Sequence, residues 1–510
     1  NKLKPLELVP AAKSETWVID KDGWHPKSMG KRAEKPPIRP LAHISIRDQT
    51  WASAAMLCLA DAVESEQGNC SDKNQSFAQA RSNKVYSYGN RLVCDWKSKD
   101  QAWFRWGNSD TYRKFFTDYQ NFLKRPMELG RSVLNQASSS EEVYVVNLDL
   151  SKFYNTICRD LLIVRLKRIS KKFGNSECPK FWNAFSRISD WKWDKHDLKL
   201  AADLKLGNVE QGLPQGLVSA GFFANAFLIE FDEKVGELIG GKLSSQHSIF
   251  VHDYCRYVDD LRLVISAKNV SVDSIKSALN RNINNLLKKH GGADLKLNND
   301  KTKVTLFSDL DDSGSMSNRI EMVQGELSGP ADRDVLDSVT GLLESFLDIE
   351  DIEDIDLSPL KSSHDDSALL QIANYDHDIR PDTLKRFAAN RLESIVRNKR
   401  RIINADGGEE LLAKKLITAW MKDPSLALVL RKAMEIHPEA DLFEPVVEAI
   451  FSRSNYSNSV KVNDIITAQM MDYLLADIFR CGLDFTLSFQ KSVYPSSIKP
   501  ESVIDLIANY

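Results

Sequence analysis

The chain is 510 residues long, 42% hydrophobic and 27% charged, with a formal net charge of −3. That length suggests about three domains, and that composition an ordinary soluble globular protein. The near-neutral charge excludes a molecule that attracts nucleic acid over its whole surface, so any basic groove must be local.

Seven cysteines, an odd number with no C-x-x-C pair, argue against a disulfide framework and against a structural zinc, and point to a reducing cytoplasm. No apolar run approaches the roughly 20 residues that a membrane span needs. The opening NKLKPLELVP has no signal-peptide core.

In chain order, residues 1–50 are Pro-rich and basic, and TWASAAMLCLADAVES (50–65) has a helical apolar pattern. Residues 96–125 interleave aromatic and basic groups, which suits either base stacking with phosphate contacts or a packed helix pair carrying solvated cations. VYVVNLDL (143–150) is a β-branched run ending in acid and reads as a strand. A helical insertion is expected around 160–205. GLPQGLVSAGFFANAFLIEF (212–231) begins as a Gly/Pro turn and continues as an apolar helix. CRYVDDLRLVIS (255–266) reads as a hairpin with two acids at its tip, and ADLKLNNDKTKVTLF (293–307) as strand, turn, strand. IEDIEDID begins an acidic patch near 349, and KSSHDDS (361–367) reads as a linker. From about 380 onward the apolar pattern is helical throughout, without a strict repeat, and RNKRRI (397–402) is a basic run.

Asp259 and Asp260 admit two readings. A solvated acidic turn is one, because Asp is common in turns. A metal site is the other, because hard divalent cations need several carboxylate oxygens close together. The metal reading requires a third carboxylate on another strand, and Asp149, at the end of VYVVNLD, supplies it. Asp149 and Asp259 on neighbouring strands could hold two Mg²⁺ about 4 Å apart, a clamp suited to in-line phosphoryl displacement. Asp260 reads either as a direct ligand or as a group that orients one.

DLSKFY (149–154), LPQG (213–216) with Ser219, Ala224 and Asn225, and YVDD (257–260) occur in the order of reverse transcriptase palm motifs A, B and C. LNNDKT (297–302) resembles motif D, and RPLAHISIRD (39–48) is similar to a fingers pattern of group II intron enzymes. YGNRL (88–92), TYRKFFTDYQNFL (111–123) and the long helical C-terminus resemble the bacterial abortive-infection and defence-associated reverse transcriptases. Nothing in the sequence resembles a ribonuclease H, integrase or zinc-type endonuclease domain.

The resemblance implies an α+β right-hand polymerase fold. Fingers and the N-terminal region would occupy 1–135, a palm with an antiparallel sheet 136–310, a thumb-like region and acidic linker 311–375, and an all-helical domain 376–510. It implies an RNA-directed DNA polymerase whose metal set is Asp149, the backbone of Leu150, Asp259 and Asp260, loaded with Mg²⁺ or in its place Mn²⁺. Tyr154 matches the aromatic gate that excludes a 2′-hydroxyl, with Phe153 beside it; a core aromatic is the other reading of Tyr154. Gln215 and Gly216 match the loop against the incoming nucleotide. Asn225 matches a substrate-binding position and is equally a packing polar of a helix. Lys301 matches a proton donor to pyrophosphate and is equally a solvated turn lysine. Arg39 and Lys35 are candidates for gripping the triphosphate, although Pro37 stands where intron enzymes often place the lysine. The implied partners are dNTPs, an RNA that is a noncoding template or scaffold, the DNA product and further copies of the chain, in antiviral defence and with no membrane. Template-independent or protein-primed synthesis, a non-catalytic RNA-scaffolding role and RNA-dependent RNA synthesis are the alternatives; Tyr154 argues against the last.

Overall fold

The computed structural model describes residues 3–13, 17–20, 23–27, 38–98, 100–108, 110–138, 140–174, 178–204, 206, 208–243, 248–311, 408–454, 462–488, 499 and 501–509. The predicted thumb-like region and acidic linker, the helix expected after 380 and the RNKRRI run all lie outside these residues.

The chain divides into two compact units. The first contains Asn1–Leu8, Leu41–Leu198 and Asn208–Asp312, and the second Val9–Pro40, Lys199–Gly207 and Ser313–Tyr510.

The N-terminal strands are β1 (Glu7–Ala12), β2 (Trp17–Asp20), β3 (Gly23–Pro26) and β4 (Ile38–His43), followed by helices α1 (Ile46–Gln67) and α2 (Phe77–Ser82). Ser45 caps α1, its hydroxyl accepting from the Asp48 amide at 3.2 Å. A hairpin of β5 (Cys94–Ser98) and β6 (Gln101–Phe104) precedes α3 (Phe115–Leu134). Then come β7 (Glu142–Asp149), α4 (Phe153–Thr156), α5 (Arg159–Lys172), α6 (Pro179–Ile188) and α7 (Lys195–Asp203). The LPQG turn leads into α8 (Ala220–Phe227) and α9 (Ile229–Gly236). Next are β8 (Ile249–Tyr257), β9 (Asp260–Ala267), α10 (Val272–Leu286), β10 (Lys303–Leu306) and α11 (Phe307–Asp311).

The centre of the first unit is an antiparallel sheet of order β10-β7-β9-β8. Both faces are covered, which explains why β7 reads as a continuous apolar run rather than an alternating one. Tyr144, Val146 and Leu148 join Leu261, Leu263 and Ile265 in the main core, together with Phe222, Phe223 and Phe227 of α8. Val143, Val145, Val264 and Phe307 pack on the opposite face with Met127 and Val133 of α3. Helix α8 is almost wholly apolar because nearly every residue in it is buried.

Buried ion pairs brace this core. Arg125 of α3 makes a two-pronged contact with Asp253 of β8, at 2.8 and 2.7 Å, and donates to the Val85 carbonyl. Arg91 pairs with Glu64 at 2.8 Å, and Arg256 with Asp232 at 2.6 Å.

The segment predicted as a strand over 293–298 is not one. Its backbone follows the residues after β7 instead: Ser151 N donates to Lys296 O at 2.9 Å and Asn298 N to Asp149 O at 2.8 Å.

The second unit packs helices α12 (Gly408–Lys422), α13 (Ala427–Ile436), α14 (Ala440–Ser454), α15 (Val462–Ser488) and α16 (Glu501–Asn509). Their shared core includes Trp420, Leu430, Val446 and Leu474, and also Trp17 and Trp24 of the β2–β3 hairpin. The Trp24 indole donates to Met421 O at 2.9 Å. No helix among the described residues is long and apolar enough to cross a membrane.

Arg125 and Asp253 are both enclosed, with side-chain exposures of 0% and 1%. Replacing Arg125 by Ala strands a buried carboxylate and is expected to cost about 3–5 kcal/mol in urea unfolding. A midpoint shift worth well under 1 kcal/mol would show that the pair does not brace the sheet.

Candidate active site

Strand β7 ends at Asp149 and β9 begins at Asp260, and these two residues are registered opposite each other. The ladder continues one step further, with Leu150 N donating to Asp259 O at 3.2 Å. The three predicted carboxylates therefore share one end of the sheet. Asp149 is buried, while Asp259 and Asp260 are half-buried. Like charges placed opposite each other on neighbouring strands destabilise a sheet unless a cation intervenes.

Lys301 provides one such cation. Its ammonium donates to Asp149 Oδ2 at 3.1 Å. It arrives there because the 296–298 backbone is bonded to Asp149 and Ser151, and because Leu297 N donates to the side chain of Asn284 at 2.8 Å. Asn284 had no signal in the sequence; it is one polar residue of an ordinary amphipathic helix. The Lys301 side chain is 59% exposed, so its hold on Asp149 is that of a surface pair and easily exchanged.

Among the described residues no three His, Cys, Asp or Glu side chains are drawn together as a ready-made metal cage. The donor chemistry still fits a hard divalent cation. It consists of carboxylates alone, and an ammonium already occupies one of them. Leu150, whose backbone the sequence reading adds to the set, is buried and bridged to Leu297.

The hairpin tip is held in an unusual backbone state. Val258 has φ +57°, a region that β-branched residues rarely adopt. Gly89 lies directly against it, and a Cβ there would come within 2.7 Å of Val258 Cγ2. The neighbouring Tyr257 is enclosed by Phe115, Tyr119 and Phe122 of α3, and burial pushes its phenol above the usual pKa.

Asn225 is not placed to touch a nucleotide. It is 2% exposed, and both its amide oxygen and its amide nitrogen are bonded to protein groups. Oδ1 accepts from Ser87 Oγ and from Arg256 Nη1, each at 2.7 Å, and Nδ2 donates to Gly89 O at 2.9 Å. These contacts favour the packing alternative for Asn225.

The LPQG loop meets the residues after Asp149. Leu213 N donates to Tyr154 O at 2.9 Å, and Ala42 N to Gln215 O at 2.6 Å. Gly216 has φ +117° and faces the Ala42 carbonyl, where a Cβ would come within 2.5 Å. Only glycine fits that turn. Phe153 is buried and Tyr154 half-buried, their rings 5.5 Å apart. Arg39 is an exposed residue of β4 and belongs to the second unit. Lys35 lies outside the described residues.

The aromatic-basic stretch splits in two. Tyr119, Phe122 and Arg125 are core, and Arg113 is paired with Asp118. Residues 94–104 form a hairpin rather than a helix. Trp103 and Trp106 are 44% and 70% exposed there, with Lys97 stacked 3.8 Å over Trp103.

Residues 113–326, under half of the chain, match the family model described as reverse transcriptase (RNA-dependent DNA polymerase), so the chain carries a reverse transcriptase domain there. No curated protein matches the chain. Among solved structures it is similar to telomerase from Candida albicans in complex with a TWJ fragment of telomeric RNA. Identity there is 12% over 76% of this chain and 53% of that one, with a TM-score of 0.26. It is also similar to apo telomerase from Candida tropicalis, at 11% identity over 98% of this chain and 70% of that one, with a TM-score of 0.32. The chain spans about half the length of the first of these.

Lys301 competes with any metal for Asp149. Lys301→Met is therefore expected to tighten Mg²⁺ binding by about two- to fivefold, the worth of one exposed ion pair, in calorimetric titration of the protein without nucleotide. Weaker binding in the variant would show that the lysine supports the metal rather than displaces it.

Proposed function

We propose that the protein is an RNA-directed DNA polymerase that adds dNTPs to a primer 3′-hydroxyl at the Asp149–Asp259–Asp260 end of the sheet. The observation that carries this reading is the register of Asp149 against Asp260, with Asp259 in the adjoining turn and Lys301 on Asp149. A solvated acidic turn needs no buried third acid on the next strand.

Asp149, Asp259 and Asp260 would hold Mg²⁺, or in its place Mn²⁺, with the Leu150 backbone alongside. A metal held there would supply positive charge to offset the triphosphate and to favour ionisation of the attacking hydroxyl. Lys301 stands at the same carboxylate on an exposed side chain, and can turn from Asp149 to the departing pyrophosphate and give it a proton. Gln215 and Gly216 would lie against the incoming nucleotide, in a loop whose turn the absence of a side chain at Gly216 permits. Tyr154, half-buried and hydrogen-bonded through its carbonyl to that loop, would pack under the sugar and reject a 2′-hydroxyl. Arg39 and Lys35 remain candidates for the triphosphate.

The template in this reading is RNA, and the biological setting is antiviral defence with an associated noncoding RNA. The resemblance of residues 88–92 and 111–123 to defence-associated reverse transcriptases supports it. The helical C-terminus, from about 380, with several helices in one core and no Gly-rich phosphate loop or nucleophile–base pair evident in its sequence, is suited to assembly and RNA positioning.

The decisive experiment purifies the protein with its bound nucleic acid, sequences that material, and supplies single dNTPs with Mg²⁺. Asn at position 149, 259 or 260 should leave the fold intact and reduce incorporation by at least about 10²–10³-fold, because a neutral amide cannot offset metal charge. Near-normal incorporation by Asp149→Asn would remove the two-metal reading.

A second test addresses Tyr154. Tyr154→Val should admit ribonucleotides into the product while DNA synthesis continues more slowly. An unchanged preference for dNTPs would return Tyr154 to a core role.

A further inference from the structure

Arg256 precedes the YVDD tip by one residue and is fully buried. Its guanidinium touches three separate elements. Nε and Nη2 hold the Asp232 carboxylate of α9 at 2.9 and 2.6 Å. Nη1 donates to Asn225 Oδ1 of α8 at 2.7 Å and to the Val258 carbonyl at 3.1 Å. The partners are themselves anchored. Asp232 also accepts from Tyr254 Oη at 2.8 Å, and Asn225 is bonded to Ser87 and Gly89.

Val258 is the residue that needs such a hold. A β-branched side chain disfavours φ +57°, and left alone the turn would relax toward negative φ. Relaxation would rotate the following peptide, which carries the Val258 carbonyl and the Asp259 N–H, and so displace the next carbonyl, that of Asp259, which accepts from Leu150 N. It would also shift Asp259 and Asp260 relative to Asp149. The Val258 carbonyl is the point at which the guanidinium meets the turn.

We propose that Arg256 is a positioning residue: clamped by Asp232, it holds the Val258 carbonyl and so maintains the left-handed turn that presents Asp259 and Asp260 to Asp149. It touches no reacting atom. Lysine cannot replace it, since one ammonium cannot span a carboxylate, an amide oxygen and a carbonyl in the geometry of a planar fork. The kinetic part of this inference rests on the polymerase reading above; the conformational part does not.

The test uses Arg256→Lys, Val258→Asn and the double variant in the full chain, since Asn accepts the left-handed region on its own. Amide exchange at Leu150 is read by mass spectrometry on short overlapping peptides. Incorporation of dNTPs and thermal unfolding are measured beside it. Arg256→Lys is expected to speed Leu150 exchange at least tenfold and to lower kcat at least tenfold, with KM for dNTP within twofold. Adding Val258→Asn should restore at least half of each loss on a logarithmic scale.

A buried ion pair with no role at the turn would show no such rescue. Wild-type exchange in Arg256→Lys overturns the proposal, as does a double variant no better protected than the single one. If Arg256→Lys alone does not fold, a folded double variant supports the clamp and an unfolded one overturns it. If the wild-type protein incorporates no nucleotide, the polymerase reading fails while the exchange results still decide the role of Arg256.

Discussion

Asp149 and Asp260 face each other across adjacent strands, and this repulsive register is the constraint on which the first unit depends. A sheet under that load separates at its end unless its strands are fixed elsewhere. Fixation comes from both faces. Aliphatic and aromatic side chains cover one of them, and helix α3 covers the other. The buried pairs add what apolar packing does not supply, which is register. Arg125 ties α3 to Asp253 on β8, and Arg256 ties the end of the same strand to α9. Burial works against the charge on Arg256, and the Asp232 carboxylate more than offsets it, so its pKa lies above the ordinary arginine value. Such pairs contribute little net stability, yet removing one partner leaves a charge with nowhere to go.

The elements bearing the site were legible because their signals are local. A β-branched run ending in Asp149, a Gly/Pro turn at LPQG and a paired acid at a hairpin tip each occupy a few consecutive residues. The residues that hold those elements together were not legible, because their partners are far away in sequence. Asn225 reads as one polar residue in FFANAF, and only the fold brings Ser87, Gly89 and Arg256 to its amide. Gly89 reads as a loop glycine until Val258 is set against it. The 293–298 segment has strand composition, but its hydrogen bonds go to the chain just beyond β7, so no regular strand forms.

The same reasoning applies to the second unit. The apolar faces of its helices were evident from their period, but what covers them was not. Trp17 and Trp24, in a region read as part of the fingers, meet at a tilt with ring centres 4.9 Å apart, and Trp24 meets Trp420 at 5.6 Å. A hairpin from the start of the chain thus completes a core built by its end. No periodicity argument reaches across that separation, because the matching surfaces carry no shared pattern.

The strength of the ion pairs varies with their place. Behind the hairpin, Arg256–Asp232 and Arg91–Glu64 are buried and multiply hydrogen-bonded, with side-chain exposures that do not exceed 6%. At the carboxylates themselves, Asp149 is paired with a largely exposed lysine, Lys301. Strong pairs at the site would hold its acids too tightly for a metal to compete, and weak pairs behind it would let the tip drift. The arrangement keeps the backbone rigid while the charge it presents stays exchangeable, which is what a site that must load and release polyanions requires.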